Sequence, residues 1–221
     1  MTGFAPLLSV GDDRSLRVTI DYQAVAEVKL KPGAVTSYKR GASDFSSQVA
    51  KLKAEGCDFV VLGTIVRETV GVMAEAKKIG FAPVYFGSTA ANVVEVPALG
   101  KELTEGFYAV GGMEIPYRDT ATGKAKEWAE AYFKAYNMEP NTQSALGYND
   151  IMTFAHYAKL AGKDLTGQKV LDAMESGDVL QDIFASPPTK FSKTNHLAST
   201  VTQVQQVKGG RWVLVKDGLM F

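Results

Sequence analysis

A chain of 221 residues is long enough to bury a sizeable core, as one domain or as two small lobes. Its hydrophobic share of 46% is that of a globular protein and argues against disorder. Lysine plus arginine and aspartate plus glutamate each number 24, so the formal net charge is zero, and no basic stripe marks a nucleic-acid partner. The single cysteine, Cys57, excludes an internal disulfide and reads as a small core residue at the start of a strand. His156 and His196 are far apart and have no cysteine partner, so no zinc site is expected, nor any other metal or cofactor. No apolar run is long enough to span a bilayer. The segment Met1 to Leu8 lacks the basic and longer apolar regions of a secretory signal.

Residues 1–36 carry no recognisable motif. Between Arg17 and Lys31 the chain alternates loosely (Val18, Ile20, then Val25, Val28, Leu30), and Pro32-Gly33 reads as a turn. From Ser37 to Ala91 the pattern is strand, helix, strand, helix, strand. The first helix follows Gly41-Ala42-Ser43 and places Phe45, Val49 and Leu52 on one face. Cys57 to Leu62 is a short, nearly continuous apolar run, as in a parallel strand covered on both faces. Gly63 to Glu68 reads as a loop into a helix that begins near Glu68 and buries Val72, Met73, Ala76 and Ile79. Val84-Tyr85-Phe86 is the third strand, and Gly87-Ser88-Thr89-Ala90-Ala91 leaves it.

Further on, Val96 to Gly100 reads as a turn or short helix, and Gly106 to Gly111 as a fourth strand. Ile115-Pro116-Tyr117 breaks the pattern. Gly123 to Asn137 is the clearest helix, with Ala125, Trp128, Ala129, Tyr132, Phe133 and Tyr136 in one apolar stripe that reads as core. A second helix, about 144–160, carries Ile151, Phe154, Ala155 and Ala158. A third starts near Thr166, its N-cap, and ends near Gly177. Pro187-Pro188 interrupts the chain, and 200–207 with 211–215 form a hairpin about Gly209-Gly210.

No catalytic residue is assigned. Gly87-Ser88-Thr89 lacks the flanking glycines of a nucleophile elbow, and no glycine-rich phosphate loop runs into a lysine and a helix. A binding site needs only N–H groups, a few hydroxyls and an apolar pocket. Open α/β sheets bind ligands at the carboxyl ends of their strands, so the ligand is expected at loops 63–67 and 87–91. Thr64, Ser88 and Thr89 supply hydroxyls there, and the helix N-terminus favours an anion such as a carboxylate. Ser88 and Thr89 read equally well as N-caps. Arg67 at that N-terminus opposes the helix dipole at a cost of about 0.3–1 kcal/mol. Either a carboxylate held by its guanidinium offsets this, or the arginine is solvated and paired with a nearby acid.

Tyr38 to Gln48, then Val61-Leu62-Gly63-Thr64, then the Gly87-Ser88 loop resemble the leucine/isoleucine/valine-binding family, the type I periplasmic receptors of ABC importers. The resemblance runs from about Tyr38 to the C-terminus. It implies an α/β type I periplasmic-binding-protein fold, with parallel sheets flanked by helices in two lobes and no room for the first half of the N-terminal lobe. It also implies a division into an unassigned segment 1–36, a C-terminal-lobe part 37–115, the second half of the N-terminal lobe 116–195 and a returning hairpin 196–221. Ile115-Pro116-Tyr117 becomes a crossover between lobes. The implied function is capture of a small ligand, an amino acid or an aliphatic or aromatic carboxylate, by lobe closure. The implied partners are the membrane permease subunits and the implied location is the periplasm. Thr64, Ile65, Val66 and Arg67 align with a ligand-contacting loop, Ser88, Thr89 and Ala90 with a second, and Tyr148 with a tyrosine lining the cleft. Thr89 stands where amino-acid-binding members carry a glutamate for the ligand's ammonium group, which leaves room for an acid without an amino group. A ligand-sensing regulator of the same fold is the alternative, as is a truncated fragment with exposed strand edges that associates and binds nothing.

Overall fold

The computed structural model describes residues 4–10, 33–39 and 41–220. The alternation read between Arg17 and Lys31 lies outside the described residues. Two compact units are present, one of Met1–Gly111 with Val204–Val215 and one of Gly112–Gln203 with Lys216–Phe221.

The first unit is built on strands β1 (Phe4–Val10), β2 (Thr36–Lys39), β3 (Phe59–Gly63), β4 (Val84–Gly87) and β5 (Tyr108–Gly111), with helices α1 (Ser46–Ala54), α2 (Val66–Lys78) and α3 (Glu95–Gly100) between them. Strands β8 (Val201–Lys208) and β9 (Arg211–Met220) complete a seven-stranded sheet in the order β2-β1-β3-β4-β5-β8-β9. The β1–β2, β1–β3, β3–β4 and β4–β5 pairs are parallel. Registers such as Val60 opposite Tyr85 and Leu62 opposite Gly87 align the carboxyl ends of β3 and β4.

Burial explains the pattern. In β3, Val60 and Leu62 are buried while Phe59, Val61 and Gly63 are half-buried. That is the apolar run of a strand with no freely exposed face. Phe45, Val49 and Leu52 are buried before and along α1, as their spacing predicts. Val72, Met73 and Ala76 are buried along α2. Each fully buried side chain of this size contributes about 1.5–3 kcal/mol. Cys57 is buried and free.

Three expectations are corrected in this unit. The segment before Thr36 contains a strand, β1, lying between β2 and β3. Helix α2 begins at Val66 rather than near Glu68, because extended Ile65 serves as N-cap without a side-chain bond to announce the start. Ile79 is 40% exposed because the helix ends at Lys78 and turns its C-cap away from the core.

The second unit contains α4 (Gly123–Tyr136), α5 (Thr142–Ala161), α6 (Gly167–Met174) and the two-residue strands β6 (Val179–Leu180) and β7 (Thr189–Lys190). Asn137 closes α4 in the left-handed conformation, the C-terminal stop an asparagine tolerates. Helix α5 starts two residues before the expected Ser144. Asn141 accepts from Ser144 N while its own N–H donates to Ser144 Oγ, both at 2.9 Å, a capping box that fixes the start. Thr166 caps α6 as expected, accepting from Lys169 N at 3.2 Å. The core is Met113, Ala145 and Phe184, with Trp128 and Tyr148 packed against it. The carboxylate of Asp182 holds the turn below Phe184, accepting from the N–H groups of Phe184 (2.8 Å) and Ser186 (3.1 Å). The α4 stripe is only partly core: Ala129 is buried, but Tyr136 is 64% exposed. The α5 stripe departs further, since Ile151 and Phe154 are 68% and 54% exposed.

Gly87 ends β4 where a Cβ would lie 2.6 Å from Phe107 Cζ and 3.1 Å from Ala91 Cβ. Gly87→Ala is expected to destabilise the protein by about 1–3 kcal/mol through overpacking, read as a lower urea midpoint at unchanged slope. A neutral effect would mean that the Phe107 ring is free to move aside.

Candidate functional site

Strand order 2-1-3-4-5 reverses direction of winding at β1. The crevice beyond the carboxyl ends of β1 and β3 is therefore the topological switch point, where doubly wound sheets take ligands. The residues that follow β1 lie outside the described residues. The residues that follow β3 are Thr64, Ile65, Val66 and Arg67, and those that follow β4 are Ser88, Thr89 and Ala90.

Thr64 is buried and turned into the helix start. Thr69 Oγ1 donates to the Ile65 carbonyl at 2.8 Å, so the 2.6 Å contact between the two threonine hydroxyls takes its proton from Thr64. Thr64 thus fixes the first turn and keeps only acceptor capacity. Ile65 is 48% exposed, Val66 half-buried and Arg67 exposed. Arg67 is the second residue of α2, and among the described residues no acid pairs with it. No side chain caps α2, so the N–H groups of its first turn lie at the same helix end as residue Arg67. Glu68, the first-turn acid, is 2% exposed, and its Oε2 has no hydrogen-bond partner among the described residues.

Ser88 is half-buried, and Thr89 and Ala90 are exposed. Residues Thr89–Ala91 form one 3-10 turn with Ser88 at its N-cap position, again without a side-chain cap bond. The Ser88 N–H donates to Leu62 O at 3.3 Å, tying this turn to β3. Both predicted loops therefore run into helical starts without side-chain caps at adjacent strand ends, the long helix α2 after β3 and a single 3-10 turn after β4. Tyr38 reaches the same edge, its phenol donating to Gly63 O at 3.4 Å. Tyr148 belongs to α5 in the second unit, its ring centroid 5.6 Å from that of Trp128 and 5.9 Å from that of Phe184. Tyr85, on β4 below the site, is buried, and burial pushes its phenol pKa far up, so it stays neutral.

The turn after β4 is fixed by residues that the sequence patterns did not single out. Buried Asn92 donates from Nδ2 to Gln205 Oε1 at 3.1 Å, and Trp212 Nε1 donates to Val93 O at 2.9 Å. The Trp212 ring lies 5.5 Å from that of Phe107. The hairpin of β8 and β9 thereby holds the 88–93 segment in place. One signal was present: Gln203, Gln205 and Val207 alternate along β8 and are all buried, so two glutamines occupy inward positions that need partners. Among the described residues no group of three or more His, Cys, Asp or Glu is placed to hold a metal.

Residues 9–211 match a family described as periplasmic binding protein. A Leu/Ile/Val-binding protein homolog of Brucella suis is 24% identical over 193 residues, 85% of this chain and 47% of that protein. A branched-chain amino acid ABC transporter structure from Thermus thermophilus with bound valine superposes with a TM-score of 0.86 at 16% identity, covering 100% of this chain and 61% of that one. A fatty acid ABC transporter substrate-binding protein from Thermomonospora curvata gives 0.83 at 21% identity, covering 100% and 58%. These likenesses establish the fold. The chain spans about half the length of the curated relatives it matches and about 60% of these solved structures.

The Asn92–Gln205 pair is open to a double-mutant cycle. Asn92→Ala or Gln205→Ala alone strands a buried amide and should cost about 1–3 kcal/mol in urea melts. The double variant should cost less than the sum of the two. Strict additivity would show that the two amides do not act as a pair.

Proposed function

The chain belongs to the periplasmic binding protein family, and on that premise we propose that it serves as a solute-binding component of an ABC importer, taking a small carboxylate at the carboxyl ends of β3 and β4. The observation that carries this reading is Arg67 in the first turn of α2, a helix start that no side chain caps, with no ion pair to Arg67 among the described residues. A guanidinium and oriented N–H groups at one point favour a bound anion, and a carboxylate matches the fork of an arginine.

The relatives support the class. One solved structure holds valine and another is described as a fatty acid receptor. Both ligands present a carboxylate, and only valine adds an ammonium group. Exposed Ile65 and Ala90, with half-buried Val66, give the apolar side of the site, and Ser88 and Thr89 give its hydroxyls. With Thr89 uncharged, an aliphatic or aromatic acid without an amino group is the preferred ligand. Tyr148 belongs to the proposed contact set through the family alignment, and lobe closure is the proposed capture step. The family is one of binding proteins, so no bond-making step is part of this reading. The proposed partners are the permease subunits and the proposed location is the periplasm. Among the described residues no helix is long and apolar enough to cross a membrane.

A thermal-shift series with branched-chain amino acids, small aliphatic acids and aromatic acids tests the proposal. A ligand at about 100 times its Kd adds about 2.7 kcal/mol, which is about 5–10 °C for a chain of this size. The expected result is a shift with one acid class that Arg67→Ala abolishes, while the melting temperature without ligand is not lowered and rises by at most about 1–4 °C as the unfavourable dipole term is removed. A cooperative transition that no acid moves would overturn the carboxylate assignment.

A further inference from the structure

Asp182 does more than close its own turn. Its Oδ1 accepts from the N–H groups of Phe184 and Ser186, the two bonds that form the turn. Its Oδ2 accepts from Ser186 Oγ and, from a distant part of the chain, from the side-chain amide of Asn149 on α5. These donors stabilise a half-buried carboxylate that no cation pairs with among the described residues. Ala185, inside the same turn, has a φ of +55°, a conformation that L residues rarely adopt unless their surroundings hold them there. The turn is also tied outward, since Phe184 O accepts from Glu114 N at 2.9 Å and Ala185 O from Gln203 Nε2 at 2.7 Å.

The turn carries Phe184. Its buried ring meets Trp128 edge-on at a centroid distance of 4.9 Å and Tyr148 edge-on at 5.9 Å. Trp128 also lies against Tyr148, at 5.6 Å. The half-buried Tyr148 ring is therefore held by two aromatic neighbours, while its phenol has no hydrogen-bond partner among the described residues. Tyr148 and Asn149 are consecutive on α5, about 100° apart around the helix. Asp182 thus reaches Tyr148 by two routes. Its bond to Asn149 sets the rotation of α5, and its bonds to the turn set the Phe184 ring. We propose that Asp182 is a positioning residue for Tyr148, presenting the free phenol to the ligand in one orientation. This rests on the carboxylate reading, in which Tyr148 is a ligand contact and its O–H a donor to the acid. Of the two routes, Asn149 is the one that can be cut cleanly, because its loss leaves the turn's own bonds in place.

The test uses the full chain with ring-labelled tyrosine and two probes, 3-methylbutanoate and benzoate. Without ligand, the Tyr148 ring signals, assigned by their loss in Tyr148→Phe, should be displaced by the ring currents of Trp128 and Phe184. Asn149→Ala should shift those signals toward the values of a free tyrosine and weaken binding of the probe that the parent takes by about fivefold or more. Asp182→Asn should do the same, because two amides then face each other and one bond is lost. Adding Asn149→Asp to Asp182→Asn reverses donor and acceptor and should restore both readouts. Thr166→Ala, which removes the α6 cap, should lower the melting temperature yet leave the Tyr148 signals and the affinity alone. Ring signals unmoved by Asn149→Ala, a double variant that restores nothing, or unchanged affinity in Asn149→Ala would each overturn the proposal. A parent chain that binds neither probe would overturn the carboxylate reading instead, and the ring signals alone would then decide whether Asp182 positions Tyr148.

Discussion

Parallel strands joined by helical crossovers deliver the N-terminus of each following helix to one edge of the sheet, because each chain segment leaves the sheet at the same end. In the first unit that edge lies beyond β3 and β4, and it gathers α2 and the 3-10 turn after Gly87. Backbone donors at this edge have no side-chain caps. Their partial positive charge is reinforced by Arg67. Isolated, this arrangement costs about 0.3–1 kcal/mol, a tolerable sum in a fold held by buried aliphatic and aromatic side chains. Under the proposed function, an anion held at the edge offsets that cost.

Rigidity at this edge comes from contacts distant in sequence. Gly87 lies close under Phe107, the Phe107 ring packs at a tilt against Trp212, and Trp212 bonds to Val93. The Asn92–Gln205 amide pair closes the same loop from the β8 side. Thr64 and Thr69 do the equivalent for α2 by locking its first turn through two hydroxyls. Hydroxyls in this site therefore divide into those that build the backbone scaffold and those, on Ser88 and Thr89, that remain at its surface.

Local pattern carried most of the first unit. The spacing of Phe45, Val49 and Leu52 and the apolar run from Cys57 named α1 and β3, and the strand-end rule named the two loops. Strand β1 was illegible because Phe4 to Val10 does not alternate, and Pro6 counts against a strand within the sheet. Helix α2 was misplaced by two residues since its N-cap, Ile65, carries no capping side chain. The Asn92–Gln205 contact joins positions 113 residues apart, beyond any local rule. For α5 the periodicity was correct and the burial was not: Ile151 and Phe154 fall at helical spacing yet are exposed, because periodicity marks a shared face without showing what packs on it.

The measurement that bears most directly on the carboxylate site is an amide nitrogen–proton NMR titration of the chain with valine and with 3-methylbutanoate, the same skeleton without the amino group. Saturable movement of the Val66, Arg67 and Glu68 amides, together with Thr89 to Ala91, is the predicted result, with 3-methylbutanoate binding at least as tightly. Saturable binding that leaves those amides unmoved while resonances of the second unit shift would contradict it.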